Sequence, residues 1–520
     1  MPTVEVGTFQ PPQFSVIDYI VVAVYMAGML ACGWRIGSRV KSTRAYFIAE
    51  GKMGAVVVGL SLLGAYLSAY TMMGFSGNTF RDTYFNPNLK QVWNLLYTVQ
   101  LPFLLVTAVV MTRVVLPRYR AAGVISVYQF LERRIHVSSR MLATASFLAL
   151  AVGRMGLTTY LPALALHTVA GWDLTWTIVA IGGVVTVYTM IGGIEAVIWT
   201  DVIQVVILTA GALVSLGYVI ALSAGGTGVS GLIQVAAEHG KFRMFDWNLD
   251  WKAPVTAWFI LETLFQTVRI YGTQQDMTQR YMATGSTKEA NKSVWISILG
   301  YIPLAYLFYF TGIALFVYYV RVHDPNILAL ARDENWDAVY PYFVVSVLPA
   351  GLAGLVVSAI LAAAMSTVSA LLNSASTVCV EDFYRRFART ERSDASSLTV
   401  AKALTVVIGV LGTITALGLM GNKDAAKTWN IIMAYCTNGV LALMAAAFLP
   451  IRIRAVPAVG GFLVGGLVLY WLRGTAANFL LYAVVGNTAA FVAILLLNAI
   501  AAVVAPLPRA EEPGDSDNAG

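Results

Sequence analysis

Apolar runs of about 18 residues or more recur along almost the whole chain, separated by short polar stretches. Each is long enough to cross a bilayer as a helix, since a hydrocarbon core of about 30 Å needs about 20 residues. The pattern predicts an all-α polytopic membrane protein of about 13 transmembrane helices. They begin near residues 15, 54, 90, 138, 174, 198, 254, 292, 339, 399, 427, 456 and 476. The longest hydrophilic stretches, about 222–253, 321–338 and 382–398, leave no room for a soluble domain. The tail from about 506, which includes Pro508-Arg-Ala-Glu-Glu-Pro513, is expected to be disordered.

Composition agrees: 58% of residues are hydrophobic and 12% charged, with a mean hydropathy of +0.71. The first dozen residues hold no Lys or Arg, whereas Arg35, Arg39, Lys41, Arg44 and Lys52 follow the first span. The positive-inside rule then places the N-terminus outside. Later loops alternate accordingly, with Arg113, Arg118, Arg120, Arg133 and Arg134, then Arg280 and Lys288, then Arg385, Arg386, Arg389 and Arg392. An odd number of spans puts the C-terminus in the cytoplasm, and the expected location is the cell membrane (plasma or inner). The net charge of +7 reflects this bias and implies no nucleic-acid partner. Phe14 to Gly33 lacks a basic n-region and a small-residue cleavage site, so it reads as a retained helix.

Cys32, Cys379 and Cys436 lie far apart within spans, and the four histidines show no ligand spacing, so neither a disulfide framework nor a transition-metal site is expected. Gly461 and Gly465 form a helix-packing face. The informative residues are polar ones at membrane depth. Arg154 stands near the middle of its span, where an arginine costs roughly 3 kcal/mol and needs a partner. That partner is either a substrate carboxylate, which suits the guanidinium fork, or an internal acid or carbonyl. Asp201 follows a Gly-Gly turn and reads as a helix N-cap or as a carboxylate turned toward a cation. Glu262 and Arg269 share a helix face but are seven residues apart, about 10 Å along the axis, and cannot pair directly. Arg269 is either a cytoplasmic gate or an interfacial anchor.

Gly59, Gly64, Gly74 and Gly77 weaken the span from about 54, each by about 1 kcal/mol relative to Ala, so a break is expected around 64–68. A partner break is expected within 254–272, five spans later, as in transporters built from two inverted halves. Ala363, Ser366 and Thr367 stand at i, i+3 and i+4 on one helix face. Their oxygens suit a hard cation; equally, such hydroxyls bond across to neighbouring helices.

Two segments carry a family resemblance: Tyr188-Thr-Met-Ile-Gly-Gly-Ile-Glu-Ala-Val-Ile-Trp-Thr-Asp-Val-Ile-Gln204 and Ala362-Ala-Ala-Met-Ser-Thr-Val-Ser-Ala-Leu-Leu-Asn-Ser-Ala-Ser376. With them the chain resembles the sodium/solute symporters of the five-plus-five inverted-repeat (LeuT-like) fold, over about residues 15–450. Gly153-Arg-Met-Gly-Leu-Thr-Thr-Tyr-Leu161, Gln275-Asp-Met-Thr-Gln-Arg-Tyr281 and Ser286-Thr-Lys-Glu289 make it most similar to the bacterial sialic acid transporters. The resemblance implies an N-terminal extra helix and basic loop (1–53), a first five-helix repeat (54–222), an external loop (223–253), a second repeat (254–450), two C-terminal helices (451–505) and the tail (506–520).

The resemblance also implies a primary sodium site made by the carbonyls of Gly64, Leu67 and Ala363 with the hydroxyls of Ser366 and Thr367. Asp201 and Ser369 would contribute to a second sodium site. The family pattern has a further hydroxyl where this chain has Ala370, so Asp201 can instead support helix geometry or the ion's exit route. Arg154 matches the arginine that receives the substrate carboxylate, Ser68 and Thr71 match pocket hydroxyls, and Asn94 falls near a pocket amide. Tyr66 replaces a small hydroxyl residue and is expected to reshape the pocket. The implied function is sodium-coupled import of a small carboxylate-bearing solute, such as an acidic sugar or a monocarboxylate, by alternating access. Each net charge moved across 100 mV supplies about 2.3 kcal/mol, worth roughly 50-fold accumulation. Sodium is the co-transported ion; no organic cofactor and no enzymatic activity are expected, and a monomer suffices. The alternatives are a neutral-solute symporter in which Arg154 is structural and, more distantly, a sodium channel or a transporter-like sensor.

Overall fold

The first helix, α1 (Val16–Gly37), begins where Ser15 and Asp18 form a reciprocal capping box around the first-turn N–H groups. The computed structural model covers residues 12, 14–89, 95–224, 228–388, 393–421 and 433–504. A short α2 (Thr43–Ile48) leads to α3 (Ala55–Tyr66) and α4 (Ala69–Phe80), two halves of one span that meet at 57°. Next come α5 (Leu95–Ala122), α6 (Val127–Arg134) and α7 (Val137–Ala170). The long α8 (Leu174–Ala224) bends at Gly193, whose φ of 58° only glycine adopts at little cost. A Cβ there would lie 2.7 Å from the Tyr46 carbonyl oxygen, so the bend also seats α2.

The chain continues through α9 (Gly228–Glu238), α10 (Thr256–Thr273), α11 (Gln275–Met282), α12 (Thr287–Val322), α13 (Pro325–Arg332) and α14 (Val339–Val347). It ends with α15 (Leu352–Val378), α16 (Asp394–Gly418), α17 (Met433–Phe448), α18 (Ala455–Arg473) and α19 (Leu480–Val504).

Among the described residues, nine helices are long and apolar enough to span a membrane, and the bent α3–α4 pair makes a tenth. The expected 13 differs from this count for identifiable reasons. The spans expected near 174 and 198 are joined in one helix across the Gly193 bend. Glu262, Gln266 and Arg269 make α10 too polar to qualify, and α17 is too short. The span expected near 339 is itself divided, because α14 stops at Val347 and α15 restarts after Gly351 at φ 88°. The second break lies later than expected: α10 is unbroken from Thr256 to Thr273, and the chain departs from helix at Gln274 (φ −89°, ψ 137°).

The bundle is organised around α15, 94% of whose apolar window is buried, against 28% for α1 and α19. Small residues on α15 let its neighbours approach, and the outer helices turn large apolar side chains outward, as lipid contact requires. Asp18 ties α1 to the start of α15 by accepting the Gly351 and Gly354 N–H groups, both at 2.7 Å. At the other end of α15, Asp382 accepts from Arg140, Ser126 and Thr144 of the α6–α7 region. Gly461 and Gly465 admit α19 as their spacing predicts: a Cβ on Gly461 would lie 2.8 Å from the Ala490 carbonyl oxygen, and one on Gly465 would lie 2.8 Å from that of Gly486. Asn94, Arg389, Arg392 and the tail from 506 lie outside the described residues.

Candidate functional site

At the α3–α4 junction Leu67 and Ser68 are extended, with ψ of 139° and 167°. Ser68 and Thr71 satisfy the start of α4 by reciprocal capping bonds of 3.4 and 3.3 Å. The carbonyls ending α3 have no following turn to bond them, and that of Leu67 meets α15. Across the gap, Thr367 Oγ1 donates to the Leu67 carbonyl at 3.0 Å and lies 3.3 Å from that of Ala363. A Cβ on Gly64 would lie 2.9 Å from Ser366 Oγ, so glycine lets the helices touch here. Gly64, Leu67, Ala363, Ser366 and Thr367 are therefore brought together, buried and rich in oxygen.

Asp201 is neither at a helix start nor free. It lies within α8, where Ser366 Oγ donates to one carboxylate oxygen at 2.6 Å and Ser61 Oγ to the other at 2.5 Å. Arg280 Nη2 reaches the second oxygen at 2.7 Å, and Arg280 Nε donates to Ser61 Oγ, also at 2.7 Å. Arg280, expected in a basic cytoplasmic loop, is thus fully buried: the break at Gln274 turns α11 into the bundle. Ser369 donates instead to the Ser366 carbonyl at 3.0 Å. A guanidinium therefore already supplies the positive charge beside Asp201.

Beside the break lies a cavity of about 350 Å³, within the size range of small-molecule sites. Its wall includes Ser68, Tyr70, Tyr97, Gln100, Arg154, Glu262, Gln266 and Phe479. Arg154 stands midway along α7 and makes no hydrogen bond or ion pair with a described residue. Two expected pocket residues are elsewhere. Tyr66 packs its ring against Tyr271 (5.3 Å) and Tyr301 (4.7 Å), so its bulk goes into an aromatic cluster and not into the cavity wall. Thr71 is buried, its hydroxyl engaged in the α4 cap.

Arg269 is 2% exposed, not an interfacial anchor; Gln266 Oε1 accepts from its Nε at 3.0 Å and Nη2 at 2.6 Å. It borders a void of about 10 Å³ shared with Tyr128, Thr273, Gln274 and Cys436. No ion pair joins Glu262 to Arg269, as their spacing predicts. Gln100, Glu262 and Gln266 were not singled out as pocket residues from sequence. The available signal was polarity inside apolar runs, but which face of each helix meets the cavity is set by packing.

The family model "Sodium:solute symporter family" matches residues 46–465. A sodium/sialic acid symporter of Proteus mirabilis is 30% identical over 92% of this chain and 94% of its own length. The human sodium-coupled monocarboxylate transporter 1 is 29% identical over 88% of this chain and 73% of its own. The solved structure of a Na+-coupled sialic acid symporter in a substrate-bound outward-open state superposes with a TM-score of 0.84 at 28% identity. That match covers 95% of this chain and 98% of the other.

Proposed function

Since the chain belongs to the Sodium:solute symporter family, we propose that it imports a small carboxylate-bearing solute together with sodium by alternating access. Its family and relatives are transporters, not enzymes. The solutes in the names of its relatives, sialic acid and monocarboxylates, share a carboxylate. Arg154 is assigned to receive that group. It costs several kcal/mol to hold at membrane depth, and with no hydrogen bond or ion pair to a described residue its donors are available to a ligand.

The observation that carries the sodium assignment is the 3.0 Å contact of Thr367 Oγ1 with the Leu67 carbonyl across the broken span. A sodium ion there would draw on the carbonyls of Gly64, Leu67 and Ala363 and the hydroxyls of Ser366 and Thr367, the oxygen donors a hard cation prefers. We assign Asp201, already matched by Arg280, to orienting Ser366, leaving a one-sodium cycle. Ordering the break also fixes Ser68, which lines the cavity, so ion binding prepares the solute site. With the N-terminus outside, the Phe259 and Phe479 end of the cavity faces the exterior, and Arg269 with its small void closes the cytoplasmic side as a gate. One sodium with one monoanion moves no net charge, so the sodium gradient alone would drive that uptake.

Proteoliposome uptake of sialic acid, lactate and other small carboxylates, with and without an inward sodium gradient, tests this reading. Sodium-dependent uptake is expected, and Arg154→Ala is expected to abolish it in protein that still elutes as a folded monomer. Uptake indifferent to sodium removes the symport reading. Arg154→Ala protein that retains wild-type affinity for its acid, or wild-type protein that takes only neutral sugars, removes the carboxylate clamp.

A further inference from the structure

A second cavity, of about 470 Å³, lies away from the broken span, between α1 and α8. Farther along, these two helices touch: a Cβ on Gly33 would lie 3.0 Å from the Tyr188 Cα. Toward the ends at which both begin they leave a wedge, walled by Val22, Ala23 and Met26 on α1 and by Thr177, Ala180 and Ile181 on α8. Leu361 of α15, 1% exposed, lines it from the core side. Val24, Trp176 and Val179 beside it are exposed, so this side of the bundle meets lipid. From Asp173 to Ile181 the wedge follows about 12 Å of helix axis, within one leaflet of a hydrocarbon core about 30 Å thick.

The entrance is built differently from the floor. Tyr19 and Trp172 stack with their rings 5.7 Å and 19° apart, and Phe14 packs edge-on against both, at 4.8 and 5.5 Å. Tyrosine and tryptophan at the start of a span mark the membrane–water boundary. Asp173, the one charged side chain on the lining among the described residues, is exposed there. One of its oxygens caps α8 by accepting the Trp176 N–H at 2.8 Å, and the other makes no hydrogen bond with a described residue. An apolar wedge of this depth suits an acyl chain. A carboxylate among ring faces at its mouth attracts an ammonium group and repels a net-anionic headgroup.

We propose that this wedge binds one ammonium-headed phospholipid, such as a phosphatidylethanolamine. An acyl chain lies against Leu361, and the ammonium group meets Asp173 and the Trp172 and Trp176 rings. The site is separate from the ion and solute assignments above and stands or falls without them.

Titration of delipidated, full-length protein in detergent tests it, with phosphatidylethanolamine or phosphatidylglycerol of identical chains and bound lipid counted by native mass spectrometry. Phosphatidylethanolamine is expected to bind about five-fold more tightly or better, the scale of one ion pair and one ring contact at a half-exposed site. Asp173→Asn keeps a good helix cap and removes the charge; it should erase that preference without abolishing binding. Ala180→Trp fills the wedge and should remove one bound lipid of either kind. Ala23→Trp does so from the opposite wall, and is read in its place should the first variant not elute as a folded species. Equal binding of the two lipids by the wild type, a preference that survives Asp173→Asn, or lipid binding undiminished by the tryptophan variants would overturn the proposal. So would a wild-type dimer that a tryptophan variant converts to monomer, which would give the wedge to a second copy of the chain.

Discussion

The two interruptions of the bundle are built from opposite materials. At Leu67–Ser68 the flanking side chains carry no charge, and what the break presents to α15 is backbone: the Leu67 carbonyl, within reach of Thr367. At Gln274 the following half-helix, Gln275–Met282, is polar yet buried along its whole length, and what it presents is side chains. Gln279 Nε2 donates to the Phe47 carbonyl at 2.5 Å and to Asn373 at 2.7 Å, while Arg280 binds Ser61 and Asp201. Carbonyls offer a small cation several weak dipoles that it can enter and leave. Charged side chains locked to each other make a joint that opens only at high cost. The first break is suited to a ligand that comes and goes, the second to holding helices in register.

The strongest way to break this comparison is at Arg280. Arg280→Met leaves Asp201 buried with no counter-charge and should cost about 3–5 kcal/mol, seen as a large drop in the unfolding temperature of the purified protein. Adding Asp201→Asn should recover most of the loss; no recovery would mean that the pair is not the joint. Thr367→Ala acts on the other break and should leave stability nearly unchanged. It should raise the sodium concentration for half-maximal uptake about ten-fold, the equivalent of 1.4 kcal/mol, whereas Thr367→Ser should not. An unchanged sodium response would take Thr367 out of the ion site.

The smallest effect concerns the far end of α4. There Lys241, in the segment after α9, donates to the carbonyls of Thr79, Phe80 and Arg81 at 3.0–3.2 Å, pairs with Asp82 at 2.9 Å and lies over the Phe316 ring. Burial pushes this amine down to about 8, against the pull of Asp82. The unfolded chain then holds one more proton than the folded one from about pH 8 up to the ordinary lysine range. Stability should therefore rise across that window, by at most about 1.4 kcal/mol per pH unit. Thermal unfolding followed against pH should show this slope in the wild type and not in Lys241→Gln. A slope of equal size in both would detach it from this lysine.

The sequence shows why some of this was legible in advance and some was not. Glycine at 59 and 64 before Ser68 marks a weak helix, and Ser366-Thr367 in an otherwise apolar run marks a polar face, so both sides of the candidate ion site could be named. Gln274 gave no comparable sign, because a polar stretch after an apolar run reads as a loop; only the packing of Gln279 and Arg280 makes it a buried half-helix. Tyr66 shows the same limit: residue identity gives its size, and the Tyr271 and Tyr301 rings give its direction.

What the chain determined by itself was that it crosses a membrane many times, that it bends near Leu67, and which residues are too costly to place in lipid without cause. Local hydropathy and helix propensity suffice for that, since each acts within a few residues. What the tertiary structure alone decided was pairing: Asp201 to Arg280, Gln266 to Arg269, and Arg154 and Glu262 to no described residue, in one cavity. Those relations join residues far apart in sequence or depend on side-chain direction, and their energies follow from burial, which exists only once the helices have packed.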